Sequence, residues 1–380
     1  MELTISLQHL SVTEQIIAAV FLLAAITQLL YYFLVFSKLA FHKEDSNQNN
    51  EQLPVSVIIA AHNEDYNLQN NLPSVLNQDY HDFEVVVVNH TSNDNTTEIL
   101  MDLQRKFNNL KIVNIEQDLN FFKGKKFPLS IGIKSAKNEI LLLTDADCKP
   151  ASNQWINSMA SNYTSKTEIV LGYGPYNKKN GLLNMLIRYD TFIIAMQYFS
   201  YALIGKPYMG VGRNLSYRKS TFYKNKGFTS HYNILSGDDD LFIKQVSTKF
   251  NTKIEVSENS FMFSEPKPTF SDWFRQKQRH ISTSKAYSTL FKLLLGGYNL
   301  SQLLFYITLV LLILNSTLLF VTIPIFIITF SSRIFIQKKA ATRLGENQLL
   351  LFSLFGDILY VILLPILTLM SLIRKSGSWK

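Results

Sequence analysis

Long uncharged apolar stretches mark both ends of this chain, and a region of ordinary polarity separates them. Residues 16–36 carry no charge over a length sufficient to cross a bilayer. Residues 300–332 are again uncharged, and Asn315-Ser316-Thr317 predicts a tight turn dividing them into two short spans. A last apolar stretch, Leu349 to Ile373, is interrupted only by Asp357. The pattern predicts a membrane protein with a large water-facing domain between its anchors.

Inside that domain, short β-type runs alternate with residues at helical spacing. Val55 to Ala61 reads as a strand, and Leu68, Leu72, Val75 and Leu76 then share a helical face. Phe83 to Val88 is a second strand, followed by Ile99, Leu100, Leu103 and Phe107 on a second helix. Lys111 to Ile115 is a third strand, and Leu129, Ile133 and Ala136 suit a helix before the run that ends at Asp145. This order predicts a parallel, three-layer α/β sheet of the nucleotide-binding kind. Leu182 to Leu203 is apolar and aromatic-rich with Arg188 and Asp190 embedded. Two readings stand for it: a helix lying at the membrane interface, where it would admit a lipid, or a buried core helix. Asp45 to Gln52 reads as a polar linker.

Charge orients the spans. Met1 to Gln15 holds two Glu and no Lys or Arg, whereas Lys38, His42 and Lys43 follow the first span. The positive-inside bias puts residue 38 onward in the cytoplasm, and Lys338, Lys339 and Arg343 on the same side. Arg374, Lys375 and Lys380 disagree with a simple four-span count, which leaves the last segment open. The expectation is a multi-pass protein of the cell membrane with a cytoplasmic domain. A net charge of +8 suits lipid headgroups or phosphate-bearing substrates. The basic residues are scattered, so no nucleic-acid partner is expected. Cys148, the only cysteine, excludes an internal disulfide and a cysteine metal cluster.

The densest chemistry lies at the end of the fourth strand. Side chains alternate along a strand, so Asp145 and Asp147 aim at one point past its carboxyl end. Ligands of open α/β sheets bind there, and paired carboxylates suit a divalent cation bridging to phosphates. Asp238, Asp239 and Asp240 are adjacent, and like charges this close raise one another's pKa, which suits proton abstraction. The alternative for any one of them is a helix cap. Gly210 to Lys219 reads as a loop closing on a substrate, or as a plain turn.

Five motifs in order then carry a resemblance. Pro54 to Glu64, with Gln78-Asp79-Tyr80 before Phe83 to Val88, resembles the start of family-2 glycosyltransferases with a GT-A fold. Gly124-Lys125 resembles that family's basic loop before the Asp-x-Asp strand, and Gly237-Asp238-Asp239-Asp240-Leu241 its acidic motif. Trp273-x-x-Gln276-Lys277-Gln278-Arg279-His280 resembles the Gln-x-x-Arg-Trp signature of the membrane-bound branch. The resemblance covers residues 54–282 and implies an inverting sugar transfer from a nucleotide-sugar to a lipid or lipid-linked saccharide. It implies Mg²⁺ or Mn²⁺ on Asp147 and Asp145, and Asp238 as general base, with Asp239 second and Asp240 third. Arg279 would brace the diphosphate, Gln276 would line the acceptor channel, and Ala61, Asn63, Glu64, His90, Lys125 and Asp145 would contact the donor. Two positions depart from the family: His90 stands where an Asp reads the nucleobase, and His280 where the signature has Trp. Asp94 keeps its place and is open to a helix-capping reading.

The implied layout is an anchor over 1–37, a linker over 38–52, a GT-A catalytic domain over 53–285 and a membrane region over 286–380. A polysaccharide synthase subunit is the nearest alternative, and another nucleotide-binding enzyme such as a nucleotidyltransferase is a further option. A transporter or receptor with a nucleotide-binding domain is the competing non-enzymatic class. It is disfavoured by the scarcity of paired charge within the spans.

Overall fold

The computed structural model describes residues 10–43, 52–117, 124–314 and 318–373. The linker expected at 45–52 lies outside them except for Gln52, and so do the Asn315-Ser316-Thr317 turn and the basic tail. The chain forms two compact units: Met1–His42 with Tyr287–Leu369, and Lys43–Ala286 with Met370–Lys380.

The first unit is helical. Its first helix, α1, starts at a Ser11 cap over Val12–Leu30, continues as a π-helical segment, Tyr31–Phe36, and closes as Ser37–Ala40. Among the described residues, four helices are long and apolar enough to cross a membrane: Val12–Ala40, Thr289–Ile313, Leu319–Arg343 and Leu349–Met370. Leu23, Leu34, Leu351 and Phe355 face outward, as side chains in lipid would. This supports membrane association. The expectation of two short spans around residue 315 is corrected, because the helices on either side each run 25 residues. The uncharged run begins at Leu293, directly after Lys292, and the helix starts earlier still, at Thr289.

Aromatic and polar side chains lock α1 to the helix over Thr289–Ile313. The Tyr31 hydroxyl donates to the Leu294 carbonyl at 2.6 Å, and the Tyr32 and Tyr298 hydroxyls lie 2.9 Å apart. Gln28 Nε2 donates to Ser301 Oγ at 2.6 Å. Arg333 and Asp357 form a buried ion pair, and Arg333 also donates to the Tyr306 hydroxyl. The scarcity of paired charge assumed from the sequence is therefore corrected. Arg333 lies one residue beyond the uncharged stretch, and its distance in sequence from Asp357 hid the pairing. Arg343 donates to the His42 carbonyl, which brings the basic ends of two spans to one end of the bundle.

The second unit is α/β. In chain order its elements are β1 (Val55–Ala61), α2 (Asp65–Leu76), β2 (Phe83–His90), α3 (Thr96–Lys106), β3 (Leu110–Ile115), α4 (Lys126–Ser135), β4 (Ile140–Asp145), β5 (Cys148–Pro150), α5 (Trp155–Ala160), β6 (Ile169–Leu171), α6 (Leu182–Leu203), β7 (Leu215–Arg218), α7 (Lys219–Lys224), α8 (Asp240–Val246), β8 (Thr252–Ile254), β9 (Met262–Ser264) and α9 (Phe270–Ser282). The three long helices that follow are α10 (Thr289–Ile313), α11 (Leu319–Arg343) and α12 (Leu349–Ile373).

Seven strands form one sheet in the order β3-β2-β1-β4-β7-β6-β8, and β5 pairs with β9. Strands β3, β2, β1 and β4 are parallel, and both β1 and β2 are buried almost throughout, as expected of strands covered on both faces. The sheet is not parallel throughout. Strand β7 runs antiparallel to β4, pairing Leu143 with Leu215 and Ile140 with Arg218. Apolar patterning sets which face of a strand is buried and carries no information on its direction. Helix α6 is buried nearly all round, including Arg188, Asp190, Phe192, Tyr198 and Tyr201, so the core reading of Leu182 to Leu203 is the one observed.

Candidate active site

The register of the parallel strands brings the expected residues to one edge. Ala60 stands beside Asp145, and Ala61 beside Asn89, so the segments after β1, β2 and β4 emerge together at the carboxyl ends. Asn63 follows with φ of 55°, a left-handed geometry that Asn tolerates better than most residues. Its Oδ1 accepts from the Asn93 amide at 2.8 Å, and its own amide donates to Ser92 Oγ at 3.0 Å. His62 Nδ1 donates to the His90 carbonyl at 2.6 Å, which fixes the proton on Nδ1 because a carbonyl only accepts. The His90 ring is buried edge-on to Phe127. Asp94 accepts from the amides of Asp65 and Thr96, each at 3.1 Å, and so ties together the starts of α2 and α3.

At the end of β4, carboxylate oxygens of Asp145 and Asp147 and the Cys148 sulfur lie within 4.8 Å of one another. Lys125 pairs directly with Asp145. Burial works to raise the Asp145 pKa, but Lys125, then Arg213 and Arg279, hold it below its ordinary value. Asp147 behaves oppositely. Burial, then the charges of Asp145 and Glu64, push it up. A half-buried carboxylate held above its normal range, beside a second one, is a donor set suited to a hard divalent cation. Cys148 does not join that set, since burial and the two carboxylates push its thiol well up and keep it neutral.

The three acidic residues at 238–240 are used differently. Asp239 caps α8 through the Asp240 amide at 2.7 Å and accepts from the Gly212 amide at 2.8 Å. Burial, then Asp238 and Asp240, push its pKa up to about 7. Asp240 accepts from Thr283 Oγ1 at 2.5 Å and from the Leu241 amide at 2.7 Å, which ties the motif to the end of α9. Among the described residues, Asp238 makes no hydrogen bond, and its charge is felt by Lys125. Gly237 before it has φ of 98°, and a Cβ there would meet Leu241 Cδ1 at 2.6 Å, so only glycine suits this turn.

Helix α9 starts from a Thr269 cap and carries Gln276, Lys277 and Arg279. Gln276 Oε1 accepts from the Tyr176 hydroxyl at 3.4 Å. Arg213 lies 4.3 Å over the Tyr176 ring and donates to Ser264 Oγ at 2.7 Å. Desolvation and then the charges of Arg279, Lys277, Arg213 and Lys125 push His280 well below its usual pKa, although its own surface stays open to solvent. Sequence reasoning missed Arg213 as a site residue. It sits in the loop before β7; the loop reading of 210–219 is corrected beyond residue 214, where Leu215–Arg218 form β7 and Lys219 opens α7, and the Asp-x-Asp charges acting on Arg213 were the missing signal.

Residues 19–380 match the family described as Glycosyl transferase family 21. Over 120 residues the chain is 33% identical to a poly-beta-1,6-N-acetyl-D-glucosamine synthase of Staphylococcus epidermidis, covering 31% of this chain and 28% of that protein. It is 26% identical over 250 residues to the probable glycosyltransferase YdaM of Bacillus subtilis, covering 61% and 56% respectively. The chain therefore spans less than two thirds of the length of either relative. The solved mannosyltransferase PcManGT from Pyrobaculum calidifontis, in complex with GDP-Man and Mn2+, is similar in fold, with a TM-score of 0.57 at 16% identity over 92% of this chain and 98% of that one. With a GT-A-like α/β unit and a family match over nearly its whole length, this chain belongs to glycosyl transferase family 21 and is a glycosyltransferase.

Proposed function

We propose that the chain transfers a sugar, with inversion, from a nucleotide-sugar to a lipid or lipid-linked saccharide at the cytoplasmic face of the cell membrane. The carrying observation is the paired Asp145 and Asp147 at the sheet edge, beside Lys125, with the unbonded Asp238 carboxylate acting on the same lysine. Inversion rests on the family-2 resemblance over residues 54–282 and on a single available base. A divalent cation, Mg²⁺ or Mn²⁺, held by Asp147 and Asp145 would supply counter-charge to the departing diphosphate.

The chain's own groups account for the remaining roles. Asp238 takes the proton of the acceptor hydroxyl, whose oxygen then attacks the anomeric carbon as the bond to the diphosphate breaks. Arg279 offers planar, paired donors to the leaving diphosphate, and Lys125 holds Asp145 ionised. Ala61, Asn63, Glu64 and His90, at the ends of β1 and β2, border the nucleoside. Gln276 and Tyr176 line the acceptor side, and His280 replaces the wall that Trp forms in the family-2 signature. Four spans and scattered surface charge favour a lipid-borne acceptor over a nucleic acid.

Nucleotide release measured across a donor panel, in membranes with and without added lipid acceptors, tests this reading. Release stimulated by lipid, with a singly glycosylated organic-soluble product, is expected, and Asp238→Asn should bind donor yet fail to transfer. No release from any donor overturns the reading. The similarity to a polymer synthase favours one alternative, a polysaccharide synthase subunit. A long water-soluble product would select it.

A further inference from the structure

Lys125 and Lys126 are adjacent but serve different parts of the second unit. Lys125 pairs with Asp145, whereas Lys126 turns away and is only 1% exposed. Its ammonium donates to three backbone carbonyls, those of His231 at 2.8 Å, Ile234 at 2.5 Å and Ser236 at 2.7 Å. An ammonium has three donors, so all are used. Burying a lysine charge is costly unless it is fully bonded, and here the bonding partners are consecutive turns of one loop. That loop ends at Gly237 and Asp238.

A second contact fixes the same loop. Gly124 has φ of 88°, and a Cβ on it would lie 2.5 Å from the Leu235 carbonyl oxygen. The 124–126 segment therefore packs its backbone and an ammonium against residues 231–236. Downstream, Asp239 is fixed by its cap and by Gly212, and Asp240 by Thr283. Asp238 stands between two anchored segments and is itself unbonded.

We infer that Lys126 is a positioning residue: it gathers the 231–236 carbonyls and so sets where Asp238 stands relative to the Lys125–Asp145 pair. One dipeptide thereby fixes the spacing between the diphosphate side and the acceptor side of the reaction. This rests on the proposed role of Asp238 as base. Misplacing a reacting group by about 1 Å costs on the order of 100-fold in rate, so the effect belongs in kcat. Donor affinity, which depends on Lys125, Asp147 and Arg279, stays.

The test is steady-state kinetics of the full-length protein in lipid-supplemented micelles, with thermal unfolding recorded for each variant. Lys126→Met should lower kcat about 10-fold or more, with donor KM unchanged within about 3-fold. Lys126→Arg should recover part of the loss. In an Asp238→Asn background, Lys126→Met should lower the residual rate no further, because the group it positions is already gone. A folded Lys126→Met with wild-type kcat overturns the inference, and so does one with raised donor KM at unchanged kcat. If Lys126→Met does not accumulate as folded protein, Lys126→Gln, which keeps two donors, replaces it under the same criteria. Wild-type protein that turns over no donor overturns both the functional reading and this inference, whereas active wild type with wild-type-like Lys126 variants overturns the inference alone.

Discussion

Asp190 of α6 and Lys277 of α9 form an ion pair of 2.8 Å, with side chains only 4% and 7% exposed. Helix α9 also carries Gln276 and Arg279, so this pair joins a core helix to the helix bearing the signature residues. Removing one partner of a buried pair strands the other charge and costs about 3–5 kcal/mol. Asp190→Asn should therefore destabilise the protein strongly, and Asp190→Leu combined with Lys277→Met should recover much of the loss. Thermal unfolding of both variants in detergent decides this. If the single variant unfolds at the wild-type temperature, the pair has no structural weight.

Burial, then the charges of Asp145 and Glu64, raise the pKa of Asp147, and a cation held there would offset both. Asp147→Asn should lower kcat by about 100-fold or more, since the counter-charge to the leaving group is lost. Mn²⁺ or Mg²⁺ should also raise the unfolding temperature of the wild type and leave the variant unaffected. Full activity in excess EDTA would exclude the assignment.

Arg279 exerts its charge on Asp145. Lysine keeps that charge but loses the planar fork. Arg279→Lys should reduce kcat by about 10-fold while membrane association survives. Wild-type turnover in this variant would make the match at 276–280 fortuitous.

Asp239 titrates near 7 in the fold against an ordinary 3.8. Between those values the native state holds a proton that the unfolded chain has released. Its contribution to stability is thus present at low pH and is lost as pH rises from about 4 through about 7. Asn caps helices as well as Asp and stays neutral. Asp239→Asn should gain stability relative to wild type between pH 5 and pH 8. Parallel melting curves for the two proteins over that range would refute the shift.

The alternation of β1 to β4 with their helices was legible because β1, β2 and β4 are buried on both faces, and their short, nearly continuous apolar runs, set between helical spacings, have few other readings. The convergence of Asp145 and Asp147 followed from strand geometry alone. Strand β7 did not, since its four residues lie inside the 210–219 stretch that reads as a loop, and Leu215 and Tyr217 would be buried in either strand direction. Lys126 and Arg213 were also illegible. A single basic residue in a loop has no period, and its meaning comes from carbonyls and carboxylates far away in sequence. The functional split among Asp238, Asp239 and Asp240 likewise depended on Gly212 and Thr283, which no local pattern connects to them.

The π-helical segment Tyr31–Phe36 makes α1 sensitive to length at that point. A π turn holds one residue more than an α turn, and here the surplus lets adjacent Tyr31 and Tyr32 both reach α10 while Phe36 packs 5.1 Å from Tyr298. Deleting one residue between 31 and 36 would restore α-helical winding and leave the helix beyond in phase, at the expense of one of the two adjacent tyrosine contacts to α10. The surplus residue and the tyrosine pair are thus tied together, so homologous chains that lack the π turn should also lack one of the two hydroxyl contacts to α10.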